Sequence, residues 1–286
     1  MSGSIATLLM EREKNIVRVL CLGDVMGRAG RDALRRHLGD IRQRYGVDIV
    51  MANGENSAGC LGVTPATVKE LEKFGVDVIT TGNHVWRHKE CYPLLRSHER
   101  FLRPANYPAK APGKGITVVP LPSGQGIAFI NLIGRVFMEP VDCPFATVDS
   151  LLASLPPEVT MIVVDMHAEA TSEKRGLYHY LKGRVSAVVG THTHVQTADA
   201  TISEEGTATI TDLGMCGVED SVLGMDKGAV LARFTTGMPH PFRPAKGKGS
   251  LNGVFIDIDS VSGKAVDMAL LRPQPAPVIA VESMER

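Results

Sequence analysis

The sequence predicts a layered α/β fold, in which buried β-strands alternate with α-helices. Apolar runs rich in β-branched residues recur along the N-terminal part of the chain, and polar stretches with helix signals separate them. The connections between these segments are short, which is typical of layered α/β proteins. The predicted strands of this part are 16–22, 47–52 and 76–81, and the predicted helices are 31–45 and 64–75.

Local signals mark the ends of these segments. The first strand runs into a glycine-bearing turn, and an arginine-rich helix follows that turn. Thr64 suits the N-cap of the second helix, Pro65 suits its first position, and Gly75 ends it. The alternation of strand and helix is therefore supported by turn and cap residues as well as by hydrophobicity.

The rest of the chain is predicted to be richer in strands. The runs 116–120 and 127–133 flank a short loop and form one hairpin, and 253–258 and 265–270 form another. Further strands are expected at 160–165, 185–189 and 207–211, helices at 172–181 and 224–234, and a loop rich in Pro, Gly and Lys at 237–249.

We expect one large domain. The 286 residues are compatible with a single α/β domain, and no internal repeat, low-complexity tract or linker divides them. The expected organisation is a flexible N-terminal extension at 1–15, a single domain at 16–272 and a C-terminal tail at 273–286.

The charge balance excludes some classes of partner. The 31 Lys and Arg residues offset 31 Asp and Glu residues, so the formal net charge is zero at pH 7. Such a chain is a poor candidate for a general DNA coat or a polybasic membrane binder. The apolar run at 5–10 is too short for a signal-peptide core or a membrane span. We expect a cytoplasmic protein with no membrane partner and no stable nucleic-acid complex, and a homo-oligomer stays open.

Cysteine usage restricts the kinds of metal site. The five cysteines are scattered along the chain and form no C-x-x-C pair. This pattern argues against a disulfide framework and against a thiolate zinc site. Any metal would have to be held by nitrogen and oxygen atoms.

Polar side chains follow several predicted strands at the point where each strand ends. Taken alone, an Asp after a Gly is more often a turn residue or a helix cap, and a single His is more often structural than a ligand. Together, carboxylates, carboxamides and imidazoles at strand ends favour a ligand site, because loops beyond the carboxyl ends of strands bind ligands in α/β sheets. The residues are Asp24, Glu55, Asn56, Asn83, His84, His167, His192 and His194.

The number of these residues favours two metal ions over one. A mononuclear catalytic site uses about three protein ligands, whereas Asp24, Glu55, Asn83, His167, His192 and His194 offer more, with Asn56 a further candidate. A dinuclear centre with a bridging carboxylate fits better, its metals about 3.5–4 Å apart. Such mixed ligation suits iron, manganese or zinc. Two cations at one site favour an anionic substrate, and phosphate esters are the class that we expect.

Long motifs of the chain resemble those of a known family, the YmdB-like metallophosphoesterases, a branch of the calcineurin-like superfamily. They are GDVMGRAGR at 23–31, NGENSAG at 53–59, TTGNHVW at 80–86, RPANYP at 103–108, DMHAEATSEK at 165–174, VVGTHTHVQTAD at 188–199 and TDLGMCG at 211–217. The resemblance implies a four-layer αββα sandwich of two mixed sheets flanked by helices. It further implies a two-metal centre of iron or manganese and phosphodiesterase activity on 2′,3′-cyclic nucleotides, with 3′,5′-cyclic nucleotides as a further candidate.

The resemblance also implies a role for each residue of the site. One metal would be held by Asp24, Glu55 and His194, and Glu55 would bridge to a second metal held by Asn83, His167 and His192. Asn56 would act as a ligand or as a hydrogen-bond donor to bound substrate. His84 would be the general acid that protonates the leaving oxygen after attack by a hydroxide between the metals.

Three further points complete the expectations for the site. Arg28, at a helix start near Asp24, is a candidate for receiving a phosphate, although a solvated surface position is the commoner interpretation. Met26 stands where the superfamily has the histidine of D-x-H, and Gly54-Glu55 replaces its Gly-Asp. Both departures match the YmdB-like branch, and they predict weaker retention of the first metal.

Two other functions stay open at this stage. A phosphomonoesterase or nucleotidase would use the same two-metal scaffold, and the relative rates on a diester and a monoester would separate the two. A regulatory nucleotide-binding protein with incidental hydrolysis would bind cyclic nucleotides tightly and turn them over negligibly.

Overall fold

Two mixed β-sheets, stacked face to face and covered by helices on their outer sides, form the frame of the protein. The computed structural model describes residues 15–272. The first sheet has the strand order β13-β12-β1-β3-β4 and the second the order β5-β6-β7-β8-β10-β9. The four-layer αββα sandwich expected from the sequence is confirmed. The predictions of a flexible N-terminal extension and a C-terminal tail fall, except for residue 15, outside the described residues.

The elements follow one another in this order. The strands are β1 Ile16–Leu22, β2 Asp24–Val25, β3 Ile49–Asn53, β4 Val78–Thr80, β5 Ile116–Pro120, β6 Gly126–Ile133, β7 Met161–His167, β8 Ala187–Thr191, β9 Thr201–Ile202, β10 Ala208–Ile210, β11 Met215–Cys216, β12 Gly253–Asp259 and β13 Ala265–Leu271. The helices are α1 Gly27–Arg44, α2 Pro65–Lys73, α3 Tyr92–Ser97, α4 Pro144–Ser154, α5 Thr171–Leu181 and α6 Lys227–Thr236. Among the described residues, no helix has the length and apolar character needed to cross a bilayer.

Strand β1 illustrates why the central strands are apolar on both faces. Val19 and Cys21 lie in the core between the sheets, whereas Leu20 and Leu22 lie in the core under α1 and α2. A third core lies on the outer side of the second sheet, where Leu177 of α5 packs against that sheet. The sandwich therefore has three apolar layers, one between the sheets and one outside each sheet.

Both predicted hairpins are present, β5–β6 and β12–β13, and the described strands agree with the predicted runs to within a few residues. The prediction missed helices α3 and α4. Of α4, only Pro144 and Val148 are buried, so its apolar face is narrow and produces little periodic signal.

Helix α1 begins earlier than predicted, at Gly27 and not at residue 31. Gly27 has a φ of 52°, and a Cβ on Gly30 would lie 2.2 Å from the carbonyl oxygen of Cys216. Glycine is needed at both positions because it accepts positive φ and allows the backbone of β11 to approach. The glycines that suggest a turn therefore form the first turn of the helix.

Parallel strand pairs bring the predicted site loops to one edge of the sandwich. Strands β1, β3 and β4 are parallel neighbours in the first sheet, and β7 and β8 are parallel neighbours in the second. The hydroxyl of Thr80 on β4 donates a hydrogen bond to Asp165 on β7, over 2.5 Å. The two sheets are therefore joined at the edge from which the loops emerge.

Away from this edge, a buried ion pair joins β1 to β12. Arg18 and Asp257 are register partners, with Nε donating to Oδ1 over 2.6 Å and Nη2 to Oδ2 over 2.5 Å. Arg18 Nη1 also donates to the carbonyl oxygen of Tyr45 over 2.7 Å. The guanidinium is thus matched by a carboxylate and a backbone acceptor inside the fold.

We expect Asp257→Ala to lower the free energy of unfolding by about 3–5 kcal/mol, because it removes one member of a buried ion pair. Urea denaturation measures the change. Asp220→Ala is the control, since it removes the partner of Lys227 at an exposed pair 2.7 Å apart and should cost less than about 1 kcal/mol. Equal losses of unfolding free energy in the two variants would contradict the importance of the buried Arg18–Asp257 pair for stability.

Candidate metal centre

Glu55, His167 and His192 form the centre of the site. Their ligand atoms lie within 4.8 Å of one another, an arrangement that could hold a metal ion. His167 Nε2 lies 3.2 Å from Glu55 Oε1, 3.0 Å from His192 Nδ1 and 3.2 Å from Asn83 Oδ1. Three predicted site residues therefore converge on the Nε2 atom of a fourth, and the four come from both sheets.

Asp24, His194 and Asn56 extend the cluster on the side of β1. Asp24 Oδ1 lies 3.6 Å from His194 Nε2, and the same nitrogen lies 3.3 Å from Asn56 Nδ2. Asn56 Nδ2 also lies 3.3 Å from Glu55 Oε1, so this carboxylate lies between the two halves of the cluster. The backbone N–H of His192 donates to the other oxygen of Asp24 over 3.0 Å.

His84 lies at the rim of the cluster, in the short 3₁₀ turn Asn83–Trp86 that follows β4. Its Nδ1 lies 2.8 Å from Asn56 Oδ1 and 3.3 Å from Glu55 Oε1. Its backbone N–H donates to Glu55 Oε2 over 3.1 Å. The imidazole is partly exposed and lines a cavity of about 450 Å³, together with Glu55, Asn56, His192 and His194.

Hydrogen bonds behind His167 determine which of its nitrogens faces the cluster. Its Nδ1 lies 2.9 Å from Thr191 Oγ1, and that hydroxyl donates to Asp165 Oδ1 over 2.8 Å. Because the hydroxyl proton is directed to Asp165, Thr191 accepts the Nδ1 proton of His167. A metal ion that displaced the Nε2 proton would then meet the lone pair of this nitrogen, close to Glu55 and His192.

The loop that carries His192 and His194 has an unusual backbone. Their φ angles are 96° and 66°, in a region that costs a non-glycine residue about 1–3 kcal/mol. Asp212 holds the loop, accepting hydrogen bonds from Thr193 N over 3.0 Å and Thr193 Oγ1 over 2.7 Å. The Lys174 ammonium, 2.9 Å from the same oxygen, is buried with it. A buried ion pair therefore supports both histidines.

The pKa values of the site residues are shifted in different directions. Burial alone would raise the pKa of Glu55, but the adjacent His167 holds it well below its usual range. Burial alone would lower the pKa of His194, yet Asp24 raises it to about 9. Burial and the nearby His167 lower the pKa of His192 to about 3. In the absence of a cation, protons on imidazoles therefore balance the buried carboxylates, and a metal ion would displace them.

Two features test whether these residues fit a transition metal. Asp24 Oδ1 is buried and has no hydrogen-bond partner among the described residues, so a strong acceptor is left for a cation. A Cβ on Gly82 would lie 2.1 Å from the His167 ring and 2.5 Å from Glu55 Oε2, so only glycine leaves room for the cluster. With nitrogen and oxygen donors throughout, the residues fit an iron, manganese or zinc site.

Arg28 differs from the expectation for it. The structure does not bring Arg28 to the cluster, since its side chain is exposed and Nε lies 3.5 Å from Asp32 Oδ2. Glu169, two residues after His167 in the sequence, contacts His192, with Oε2 3.1 Å from Nε2. The Glu169 contact engages the His192 nitrogen that faces away from His167.

The residues that support the cluster were not predicted from the sequence. Asp165 lies two positions before His167 on β7 and thus on the same face, a signal that could have identified it. Thr191 ends β8 one residue before His192. Lys174 and Asp212 carry no such signal, because their contact depends on how α5 lies against the loop after β10.

Comparisons with known proteins identify the family to which this fold belongs. The sequence model of the family described as YmdB-like protein matches residues 20–271. A Bacillus subtilis (strain 168) protein named 2′,3′-cyclic-nucleotide 2′-phosphodiesterase is 46% identical over 250 residues, which cover 87% of this chain and 94% of that protein. A Mycoplasma genitalium protein, provisionally named a phosphatase/phosphodiesterase, is 34% identical, with 90% and 92% covered.

Solved structures show the same similarity. A crystal structure of a hypothetical protein from Thermus thermophilus has a TM-score of 0.84 and 44% identity, covering 92% of this chain and 99% of that one. The structure of a novel phosphatase from Mycoplasma pneumoniae has a TM-score of 0.85 and 32% identity, with 93% and 95% covered. The chain belongs to the YmdB-like protein family.

Proposed function

We propose that this protein is a metal-dependent phosphodiesterase that hydrolyses 2′,3′-cyclic nucleotides. The observation that carries the proposal is the buried cluster around Glu55 and His167, with Asp24 Oδ1 beside it, an atom that accepts no hydrogen bond from the described residues. The substrate class rests on the Bacillus subtilis relative, whose name states this activity. The chain spans nearly all of that relative, so the activity is proposed for the whole protein.

The proposed ligands form two sets that share one carboxylate. Asp24, Glu55 and His194 would hold one metal, and Glu55, Asn83, His167 and His192 would hold the other. Iron or manganese is proposed, and zinc also suits these donors. Asn56 lies beside both Glu55 and His194, close enough to ligate or to donate to substrate. Bound metal ions supply Lewis-acid stabilisation of phosphoryl oxygens and activation of water.

His84 is proposed as the general acid for the leaving ribose oxygen. A proton on its Nδ1 is donated to Asn56 Oδ1, 2.8 Å away, which leaves Nε2 to the cavity that the ring lines. A histidine is the side chain best suited to donate a proton near neutral pH. Asn56 therefore orients the acid and also contacts the ligand set.

A phosphomonoesterase is the second candidate, and a specific observation favours it. The solved Mycoplasma pneumoniae protein, similar over most of the chain, is described as a phosphatase. Two-metal sites support both reactions. Rates on a phosphodiester and a phosphomonoester with the same leaving group separate the two candidates, and faster hydrolysis of the diester favours the main proposal.

We expect the purified protein to contain transition metal and to hydrolyse 2′,3′-cyclic AMP. Removal of metal with a chelator should abolish hydrolysis, and added Mn²⁺ or Fe²⁺ should restore it, because the proposed ligands only position the metal ions that assist the attack. Elemental analysis and product chromatography measure both. Absence of bound metal together with no rescue would contradict the proposed function.

We expect His84→Ala to retain its metal but to lose about 10²–10⁴-fold in kcat, the usual size of a general-acid contribution. The loss should be larger for a ribose leaving group than for p-nitrophenolate, which leaves without a proton. His98→Ala is the control, since that histidine pairs with Glu72 on the surface, 2.7 Å away. Equal losses for both leaving groups would assign His84 a structural role.

We expect Thr191→Val to weaken metal retention about 10–100-fold, the range typical for partners of metal ligands. The valine keeps the shape of the side chain but removes the acceptor that fixes the Nδ1 proton of His167. Metal content after dialysis against a graded chelator gives the readout. Thr117→Val, in β5 of the same sheet, is the control, and equal retention in the two variants would reject this role of Thr191.

A further inference from the structure

The cavity beside the metal centre is lined by two kinds of residue. The first kind is the polar residues of the site. The second kind is apolar side chains from distant parts of the chain, here called the apolar wall, which include Met26, Leu61, Met225, Val230, Phe234 and Phe242. Its volume of about 450 Å³ lies within the range of small-molecule sites, about 300–1,000 Å³.

The two aromatic rings of the apolar wall are exposed to an unusual degree. Phe234, on α6, is 73% exposed, and Phe242, in the segment after that helix, is 44% exposed. The guanidinium carbon of Arg233 lies 4.9 Å from the centroid of the Phe242 ring, a cation–π contact that holds the ring. Large exposed apolar side chains beside a polar site are typical of a ligand surface.

We propose that this apolar wall binds the nucleobase of the substrate, a step that rests on the proposed phosphodiesterase function. A cyclic nucleotide joins an anionic phosphate to a flat, largely apolar base. The metal centre receives the phosphate, and the side chains of Phe234, Phe242 and the two methionines that line the same cavity receive the base. Aromatic and thioether side chains suit contact with a flat ring.

The side chains of the apolar wall also determine how strongly the subsite discriminates between nucleobases. Among the described residues that line the cavity, the charged and hydrogen-bonding side chains belong to or adjoin the metal centre, as Glu169 does at His192. The apolar wall therefore offers stacking without side-chain groups that read a base edge, and stacking tolerates every base. The four common 2′,3′-cyclic nucleotides should have kcat/KM values within about tenfold of one another.

The test compares substrates with and without a base. In Phe234→Ala, Phe242→Ala and the double variant, kcat/KM for 2′,3′-cyclic AMP should fall about 5–100-fold, the range of one base–aromatic stacking contact. For ribose 2′,3′-cyclic phosphate, which has no base, kcat/KM should change far less. Phe137→Ala is the matched control, because Phe137 is 89% exposed and lies outside this cavity.

Three outcomes would overturn the subsite. They are equal losses on both substrates, no loss on either, or a change of oligomeric state in Phe234→Ala with unchanged kinetics. The last result would assign the exposed ring to contact with a second copy of the chain, and size-exclusion chromatography with light scattering detects it.

Failure of the subsite is distinguishable from failure of the proposed function. If the wild-type protein hydrolyses neither substrate, the phosphodiesterase proposal fails, and calorimetry with 3′-AMP and ribose 3-phosphate on the metal-loaded protein then tests the wall directly. Tighter binding of 3′-AMP that is lost in the double variant supports the subsite. Equal binding of the two probes by the wild-type protein would refute it.

Discussion

The burial of the Glu55 carboxylate is the constraint on which the rest of the site depends. A buried anion costs several kcal/mol unless charges and hydrogen bonds compensate it. Glu55 is fully buried, and it receives the backbone N–H of His84, the amide of Asn56 and the imidazole of His167. These partners come from loops after several strands, so the sandwich must bring its strand ends together before the carboxylate can be accommodated. A bridging cation would satisfy the same requirement more fully.

The strained loop of His192 and His194 follows from the same requirement. Both imidazoles must turn back toward Asp24 and Glu55, and this is achieved with positive φ at both residues. The loop is held in this conformation by the buried Lys174–Asp212 pair and by the Asp24 oxygen that accepts the N–H of His192. Removing one partner of such a pair costs more than the pair contributes, because the remaining charge stays buried.

Much of the site could be predicted from the sequence, because the position of a residue at a strand end depends on local pattern. Apolar runs located the strands, and the polar residue after each run was then assigned to a common edge, as with Asn83 and His167. The orientation of side chains within that edge could not be predicted in this way. The contact of Glu169 with His192, the hydroxyl of Thr191 behind His167 and the buried Lys174 all depend on how loops and helices pack, and neither periodicity nor spacing encodes that packing.

The zero net charge of the chain leaves open how an anionic substrate is attracted, and the lining of the cavity suggests an answer. Among its described lining residues there is no lysine or arginine, and Arg28 pairs with Asp32 outside it. The two carboxylates proposed as ligands, Asp24 and Glu55, would by themselves repel a phosphate, as would Glu169, which also lines the cavity. Bound divalent cations would reverse the sign of this local field, because their charge exceeds that of the two carboxylates. Attraction of the phosphate would then depend on metal occupancy, whereas the apolar wall would contribute binding that is independent of charge.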